Sequence, residues 1–280
     1  MYLENITKEL ENHGINAEEV TVMKNGVPCT GIRVVTGTDI SPVVYYAQGE
    51  TIEEFVSRIQ DAIEHTPAVD AGMLSDREYI LKNLYVTVQR YFHDDSIIGK
   101  NVLNVEAMLR IFFNVKENEE CGSVKVTKEI LNFAGISQDE AWEAAIDNTR
   151  STLHVYSMAE ALGLDETDAG WLQVPLDVAT TERRSDGAAA LLFPDLFRDY
   201  CTQRNIQSCI LLPSSTQEIL ILPEDGDDTR CDYHEMACMV RDINNTQLDP
   251  TIQLAPVVYR YDLKSDAIRI VAEVCEGEGD

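Results

Sequence analysis

Two stretches gather side chains that could do chemistry. The first, Pro213-Ser214-Ser215-Thr216-Gln217-Glu218, sets hydroxyls, an amide and a carboxylate side by side. A serine nucleophile needs a base in reach and an oxyanion hole, and the hydrolase elbow that supplies them has the form Gly-x-Ser-x-Gly. This stretch has no glycine, and no histidine follows nearby. Its plain reading is a hairpin turn whose hydroxyls satisfy local backbone groups. Read as a site, its hydroxyl and amide donors suit recognition better than catalysis. Ser214, Ser215, Gln217 and Glu218 are therefore the candidate binding residues, and no catalytic residue is assigned.

The second stretch is Cys231-x-x-His234-x-x-x-Cys238. On a helix these positions fall at i, i+3 and i+7, so three soft ligands could share one face and meet zinc. A fourth ligand would have to come from Cys201 or Cys209, and the paired Cys-x-x-Cys spacing is missing. Two partly buried thiols and a surface histidine account for the same residues, so neither metal nor cofactor is expected. His13, His65, His93 and His154 are scattered, without a His-Glu-x-x-His arrangement. Asp94-Asp95 and Asp227-Asp228 read as solvated loop faces, and Arg183-Arg184 as a doublet balancing local acids. Gly31, Gly37 and Gly49 lie too far apart to cradle a phosphate, which argues against an ATP-driven or nicotinamide enzyme.

The elements that would position these residues alternate between helix and strand patterns. Leu3, Ile6 and Leu10 have helical spacing. Asn25-Gly26 between Val20, Val22 and Ile32, Val34 is a strong hairpin signal, because both turn positions need positive φ. A further strand is expected over Val43–Tyr46. Thr51-x-x-Glu54, Ser75-x-x-Glu78 and Ser137-x-x-Glu140 are capping boxes. The second of them predicts a helix with Ile80, Leu81, Leu84, Tyr85 and Val88 inward. Val102–Val115 is ambiguous between helix and strand. Ser123–Val126 reads as a strand, followed by a helix over Thr127–Ala134 that stops at Gly135.

Beyond residue 150 the alternation Val174, Leu176, Val178 predicts a strand. Ala188–Phe193 is expected as a second strand, with a helix opening at Pro194. Strands over Cys209–Leu212 and Ile219–Leu222, a helix over Tyr233–Asn244 and a hairpin of Val257–Tyr261 with Ala267–Val271 complete the order ββαββαββ. Hairpins joined by single helices imply the α+β class, with antiparallel sheets and helices packed on one face. The chain divides into an N-terminal α+β region, 1–150, and a C-terminal ββαββαββ region, 151–280, or forms one continuous domain.

Hydrophobic residues at 44% and charged residues at 25% give a core large enough to fold without metal or disulfide. No apolar run is long enough to span a membrane, the N-terminus lacks the order of a signal peptide, and the seven cysteines are odd in number. A cytoplasmic location is expected. The formal charge of −27 is spread over both halves and disfavours direct nucleic-acid binding, which depends on clustered Lys and Arg.

Several phrases in order carry a family resemblance. They are Lys24-Asn25-Gly26, Thr30-Gly31-Ile32, Ile40-Ser41-Pro42 before Tyr45-Tyr46, Asp147-Asn148-Thr149 and Gly187-Ala188-Ala189 with Phe193-Pro194-Asp195. Leu211 through Ser215, Glu218-Ile219, Leu222-Pro223-Glu224, Val240 through Asn244 and Val258 through Asp262 follow. Together they resemble a Firmicutes family catalogued as domain of unknown function 5688, over nearly the whole chain. The chain departs from the family's pattern at Gln217, where a histidine is usual. The resemblance implies a lineage and no mechanism.

Charge and missing signatures together favour a non-enzymatic binding protein acting on another protein through its acidic surface. In its sharper form this is an inhibitor or decoy filling the basic nucleic-acid groove of a partner such as a defence nuclease. The alternative is a hydrolase or small-ligand-binding enzyme with its site near Ser214-Ser215.

Overall fold

The computed structural model describes residues 2–35, 41–47, 49–65, 71–91, 97–114, 121–164, 176–224 and 232–274. Helix α1 (Tyr2–Asn12) buries Ile6 and Leu10. Strands β1 (Ala17–Lys24) and β2 (Val27–Val34) pair antiparallel across Asn25-Gly26, whose φ values of 50° and 76° are those the dipeptide predicts. β3 (Val43–Tyr45) extends the sheet beside β2. Helix α2 (Ile52–His65) opens with the expected box: Thr51 N donates to Glu54 Oε2 at 2.9 Å and Glu54 N donates to Thr51 Oγ1 at 3.2 Å. Phe55, Val56 and Ile59 then close a small core with Ile6, Leu10, Ile32 and Val34.

The middle of the chain forms α3 (Arg77–Asn83), β4 (Leu84–Arg90), β5 (Gly99–Val102), β6 (Val105–Asn114) and β7 (Cys121–Lys125). The helix expected to continue through Val88 stops at Asn83. Its cap is Asp76, which accepts from Tyr79 N at 3.1 Å, while Ser75 Oγ donates to Gly72 O. The stop is made from a distance: Asn148 Nδ2 donates to Leu81 O and Leu84 O at 2.8 and 2.9 Å, and Thr149 Oγ1 accepts from Val86 N at 2.8 Å. The β-branched run Val86-Thr87-Val88 then pairs with β6. The ambiguous stretch from Val102 is thus strand, turned at Leu103-Asn104. β6 pairs with β4 on one side and with β5 and β7 on the other.

The two faces of this sheet differ. Val86, Val88, Ala107, Leu109 and Ile111 pack into the main core with α4 (Lys128–Ala134) and α5 (Gln138–Thr152). Gly135 ends α4 in the left-handed conformation, as expected. The other face carries Tyr85, Thr87 and Gln89 opposite Arg110, Met108 and Glu106. Thr87, Gln89 and Glu106 are buried although polar.

The remaining elements are β8 (Leu153–Ser157), α6 (Met158–Ala161), β9 (Asp177–Thr181), a 3-10 turn (Gly187–Leu192), α7 (Pro194–Arg204), β10 (Ser208–Ser215), β11 (Glu218–Glu224), α8 (Tyr233–Gln247), β12 (Val257–Asp262) and β13 (Ala267–Glu273). The six strands run antiparallel in the order β13-β12-β10-β11-β9-β8. The α+β class and the antiparallel sheets are as expected. The strand expected over Ala188–Phe193 is instead the 3-10 turn. Gly187 N and Ala188 N donate to Gln217 O and Thr216 O, after which Ala189 and Phe193 close local turns and the alanines pack fully buried. β8, entered directly from α5, supplies the pair of strands in its place; Val174 lies outside the described residues.

Helices cover both faces of this sheet, where one was expected. Cys209, Leu211, Ile219, Ile221, Tyr259 and Tyr261 face α7 and share the main core, whereas Ile210 and Val258 face α8. The continuous apolar run Cys209-Ile210-Leu211-Leu212 is the cause, because a strand apolar on both sides must be covered on both.

Asn25 docks the first hairpin onto the rest. Its Oδ1 accepts from Arg90 N at 2.6 Å and its Nδ2 donates to Gln253 O at 2.6 Å. Asn25→Gly keeps the turn's backbone freedom and removes both bonds, so it is expected to lower unfolding free energy in a urea titration by about 2 kcal/mol. An unchanged midpoint would show that these bonds do not hold the hairpin.

Candidate functional site

A cavity of about 640 Å³ lies where these parts meet. The first hairpin contributes Lys24 and Asn25, and β3 contributes Tyr45. The polar face of the middle sheet contributes Thr87, Gln89, Met108 and Arg110, with Ser123 and Lys125 from β7. Asp186, the turn residues Thr216 and Gln217, and Thr251-Ile252 complete the walls.

The turn that carries Thr216 and Gln217 is held from several directions. Gly187 N and Thr180 Oγ1 donate to Gln217 O at 2.8 and 2.9 Å, and Thr216 N donates to Ile252 O at 2.8 Å. Gly187 is required by this closeness: a Cβ there would stand 2.4 Å from Thr180 Cα and 2.5 Å from Gln217 O. Ser215 Oγ, buried, accepts from Gln217 N at 3.0 Å, and Gln217 Nε2 donates to Thr216 Oγ1 at 3.1 Å. Ser214 occupies the register shift between Pro213 and Ser215, and Glu218 begins β11 opposite Ser215. No histidine or carboxylate is hydrogen-bonded to either serine hydroxyl among the described residues, so the pair lacks the base a nucleophile needs. Of the four candidate binding residues, Gln217 alone lines the cavity.

The zinc-spaced stretch is described in part: His234 Nε2 contacts Cys238 Sγ at 3.8 Å on α8, and Cys231 lies outside the described residues. Cys209 points to the other face of the sheet, where it hydrogen-bonds Cys201 inside the main core. That bond and burial push its thiol pKa up, which keeps it protonated and a poor metal ligand. No group of metal-binding side chains occurs among the described residues. His93, Asp94, Asp95, Asp227 and Asp228 lie outside them. Arg183 and Arg184 act on Asp186 and Glu160 as the expected balance of local acids, and they also stack on rings: Arg183 lies 4.2 and 4.8 Å from the Phe112 and Tyr85 centroids, and Arg184 lies 4.1 Å from Tyr156.

Lys24, Arg110, Lys125 and Asp186 were not singled out from sequence. Arg110 was the legible one, a lone cation inside Ala107-Met108-Leu109-Arg110-Ile111-Phe112-Phe113. Burial lowers the Arg110 pKa, against the pull of the Asp186 carboxylate. Burial raises the Asp186 carboxyl pKa, opposed by the charges of Arg110 and Arg183 and by a bond from Ser185. Asp186 and Arg184 also sit at φ 57°, a left-handed conformation that Asp tolerates and Arg rarely adopts. Burial likewise lowers the pKa of Lys24, whose ammonium stands 3.4 Å from the Tyr45 ring centroid.

Polar satisfaction differs between this cavity and the two buried carboxylates Asp177 and Glu224, although Asn104 Nδ2 and Asn244 Oδ1 are also unpartnered elsewhere. Buried Asp177 accepts from Tyr200 OH at 2.7 Å and pairs with Arg204. Glu224 accepts from Ser208 Oγ, Tyr233 OH and Arg260 Nε. Burial would raise its carboxyl pKa, but these donors outweigh it and hold the group low. In the cavity wall, Thr87 Oγ1 and Arg110 Nε are buried with no hydrogen-bond partner. Such groups normally find one. Because the turn depends on Gly187, Gly187→Ala is expected to lower stability by about 2 kcal/mol, as overpacking against backbone does. Gly122→Ala, which meets nothing within 4 Å, should leave the thermal midpoint where it is or raise it.

A family model described as a family of unknown function, DUF5688, matches residues 2–263. No curated protein matches the chain, and no solved structure does. No described helix is long and apolar enough to cross a membrane. With a match from α1 through β12, this chain is a member of the family of unknown function DUF5688.

Proposed function

We propose that this chain is a small-ligand-binding protein whose site is the cavity between the first hairpin, the polar face of the middle sheet and the Thr216-Gln217 turn. The observation that carries the reading is that two buried polar atoms without partners, Thr87 Oγ1 and Arg110 Nε, belong to residues lining one cavity. A buried polar group left without a partner costs about 1–3 kcal/mol, and a ligand that supplies the partner recovers it. The volume is in the range of small-molecule sites. The reading keeps the recognition role suggested for the Ser214–Glu218 stretch and gives its serines no chemistry.

Mass spectrometry of the full chain after incubation with a small-molecule extract and gel filtration tests this. A molecule is expected to remain with the native chain and to be lost from Ser123→Trp, because Ser123 shares the cavity face of the sheet with Arg110 and Phe112. Retention of nothing, or equal retention by the filled variant, would reject the site.

The −27 charge favours a second reading, that the acidic exterior engages a basic groove on another protein. Partners held that way should be lost steeply from a pull-down as salt rises, whereas salt-independent capture would reject this second reading.

A further inference from the structure

We infer that Asn25-Gly26 is a spontaneous deamidation site gated by docking of the first hairpin: the docked amide is held against reaction, and its conversion to aspartate or isoaspartate releases the hairpin. The inference stands apart from the ligand-binding reading and needs no ligand in the cavity.

Asn25-Gly26 is the only Asn-Gly step in the sequence. Glycine has no side chain to obstruct its own nitrogen and leaves the backbone free to turn, so Gly26 N can reach Asn25 Cγ once the chain is loose. The steps balance without a redox partner. A base takes the Gly26 N proton, the nitrogen bonds to Cγ, and the Cγ–Nδ2 bond breaks with loss of ammonia. Water then opens the resulting succinimide at either carbonyl, giving aspartate or isoaspartate at position 25. The net change is water taken up and ammonia released.

In the docked hairpin the amide is engaged at both ends. Oδ1 accepts from Arg90 N at 2.6 Å, and Nδ2 donates to Gln253 O at 2.6 Å and to Pro250 O at 3.4 Å. The residue is 6% exposed, so the rotation that closes the ring and the water that opens it both require these bonds to part. Such opening is local. The core of Ile6, Leu10, Ile32, Phe55 and Ile59 is separate from the main core, so each stays packed while the hairpin moves. The segment that receives Nδ2 is itself held by Gln253, whose Nε2 donates to Asn244 O at 2.7 Å and to Leu248 O at 2.9 Å.

Conversion destroys the docking contact. In aspartate a carboxylate oxygen replaces Nδ2 opposite the carbonyl oxygens of Gln253 and Pro250, which only accept, so a donor is lost and negative atoms meet. Isoaspartate adds a methylene to the main chain inside the two-residue turn between β1 and β2, which that turn does not fit. Asn25 lines the cavity, so either product also opens that wall. The released ammonia does not return, and the change runs one way.

Peptide mass spectrometry of the full chain, aged in native buffer and in guanidinium chloride at one pH and temperature, tests this by following conversion at Asn25. Conversion is expected in both, slower by about tenfold or more in the folded chain, which reacts only from its opened fraction. Gln253→Ala, which loosens the receiving segment, should convert faster than the native chain in native buffer. Hydrogen exchange of Asn25→Asp should show lost protection at the Arg90 amide, while Val88 inside the same strand keeps it. If Asn25→Asp fails to fold, the converted fraction of the aged native chain, separated by ion exchange, gives the same reading. Absence of conversion in denaturant would overturn the site. Equal rates in the two states, or a rate unchanged in folded Gln253→Ala, would overturn the gate. Native protection at Arg90 in the aspartate form would overturn release of the hairpin.

Discussion

The side chain of Asn25 is the tie on which the arrangement of the molecule turns. An asparagine at this position does two things at once. Its tolerance of positive φ lets β1 and β2 meet in a two-residue turn. Its amide then reaches outward, accepting from the end of β4 and donating to the segment that follows α8. The first hairpin, the middle sheet and the chain around Gln253 are therefore all joined through one buried side chain. The cavity exists because these parts are fixed at a distance from one another.

The polar face of the middle sheet gives that geometry its meaning. A sheet face carrying Thr87, Gln89, Glu106 and Arg110 would ordinarily face water. Here the first hairpin and the loop before Gly187 cover it, and the covering is only partly compensated. Gln89 and Glu106 satisfy one another at 2.7 Å, and Arg183 stacks over Tyr85 and Phe112 at the edge. Thr87 and Arg110 find no such match. Elsewhere the fold answers buried charge carefully, with Tyr200 and Arg204 on Asp177 and three donors on Glu224. Thr87 and Arg110 thus share one wall, next to a loop with two residues in left-handed backbone, while Asn104 Nδ2 and Asn244 Oδ1 lie unpartnered elsewhere.

Acidity and the cationic cavity belong to different scales of the same molecule. The exterior charge governs solubility and encounter with other macromolecules, through a field that salt weakens. The cations of the cavity act over a few ångströms in partly desolvated surroundings, where each interaction is stronger than it would be in water.

What the sequence determined by itself was local. Asn25-Gly26, the Thr51–Glu54 box, Gly135 and Pro194 each act on neighbouring backbone, and the structure uses all of them as their chemistry requires. The α+β class followed from the same punctuation, and the family from the order of short phrases. Elements decided by partners far away in sequence were not legible. The helix through Val88 gave way because Asn148 and Thr149 end it from another helix. Ala188–Phe193 became a 3-10 turn because the amides at its start bond the Thr216-Gln217 turn. The candidate site divided in the same way. Gln217 could be named from its turn, whereas Lys24, Arg110, Lys125 and Asp186 lie far apart along the chain and meet only when the hairpin docks. Turn and cap energies are set within a few residues, but a cavity is made by surfaces that only tertiary packing brings face to face.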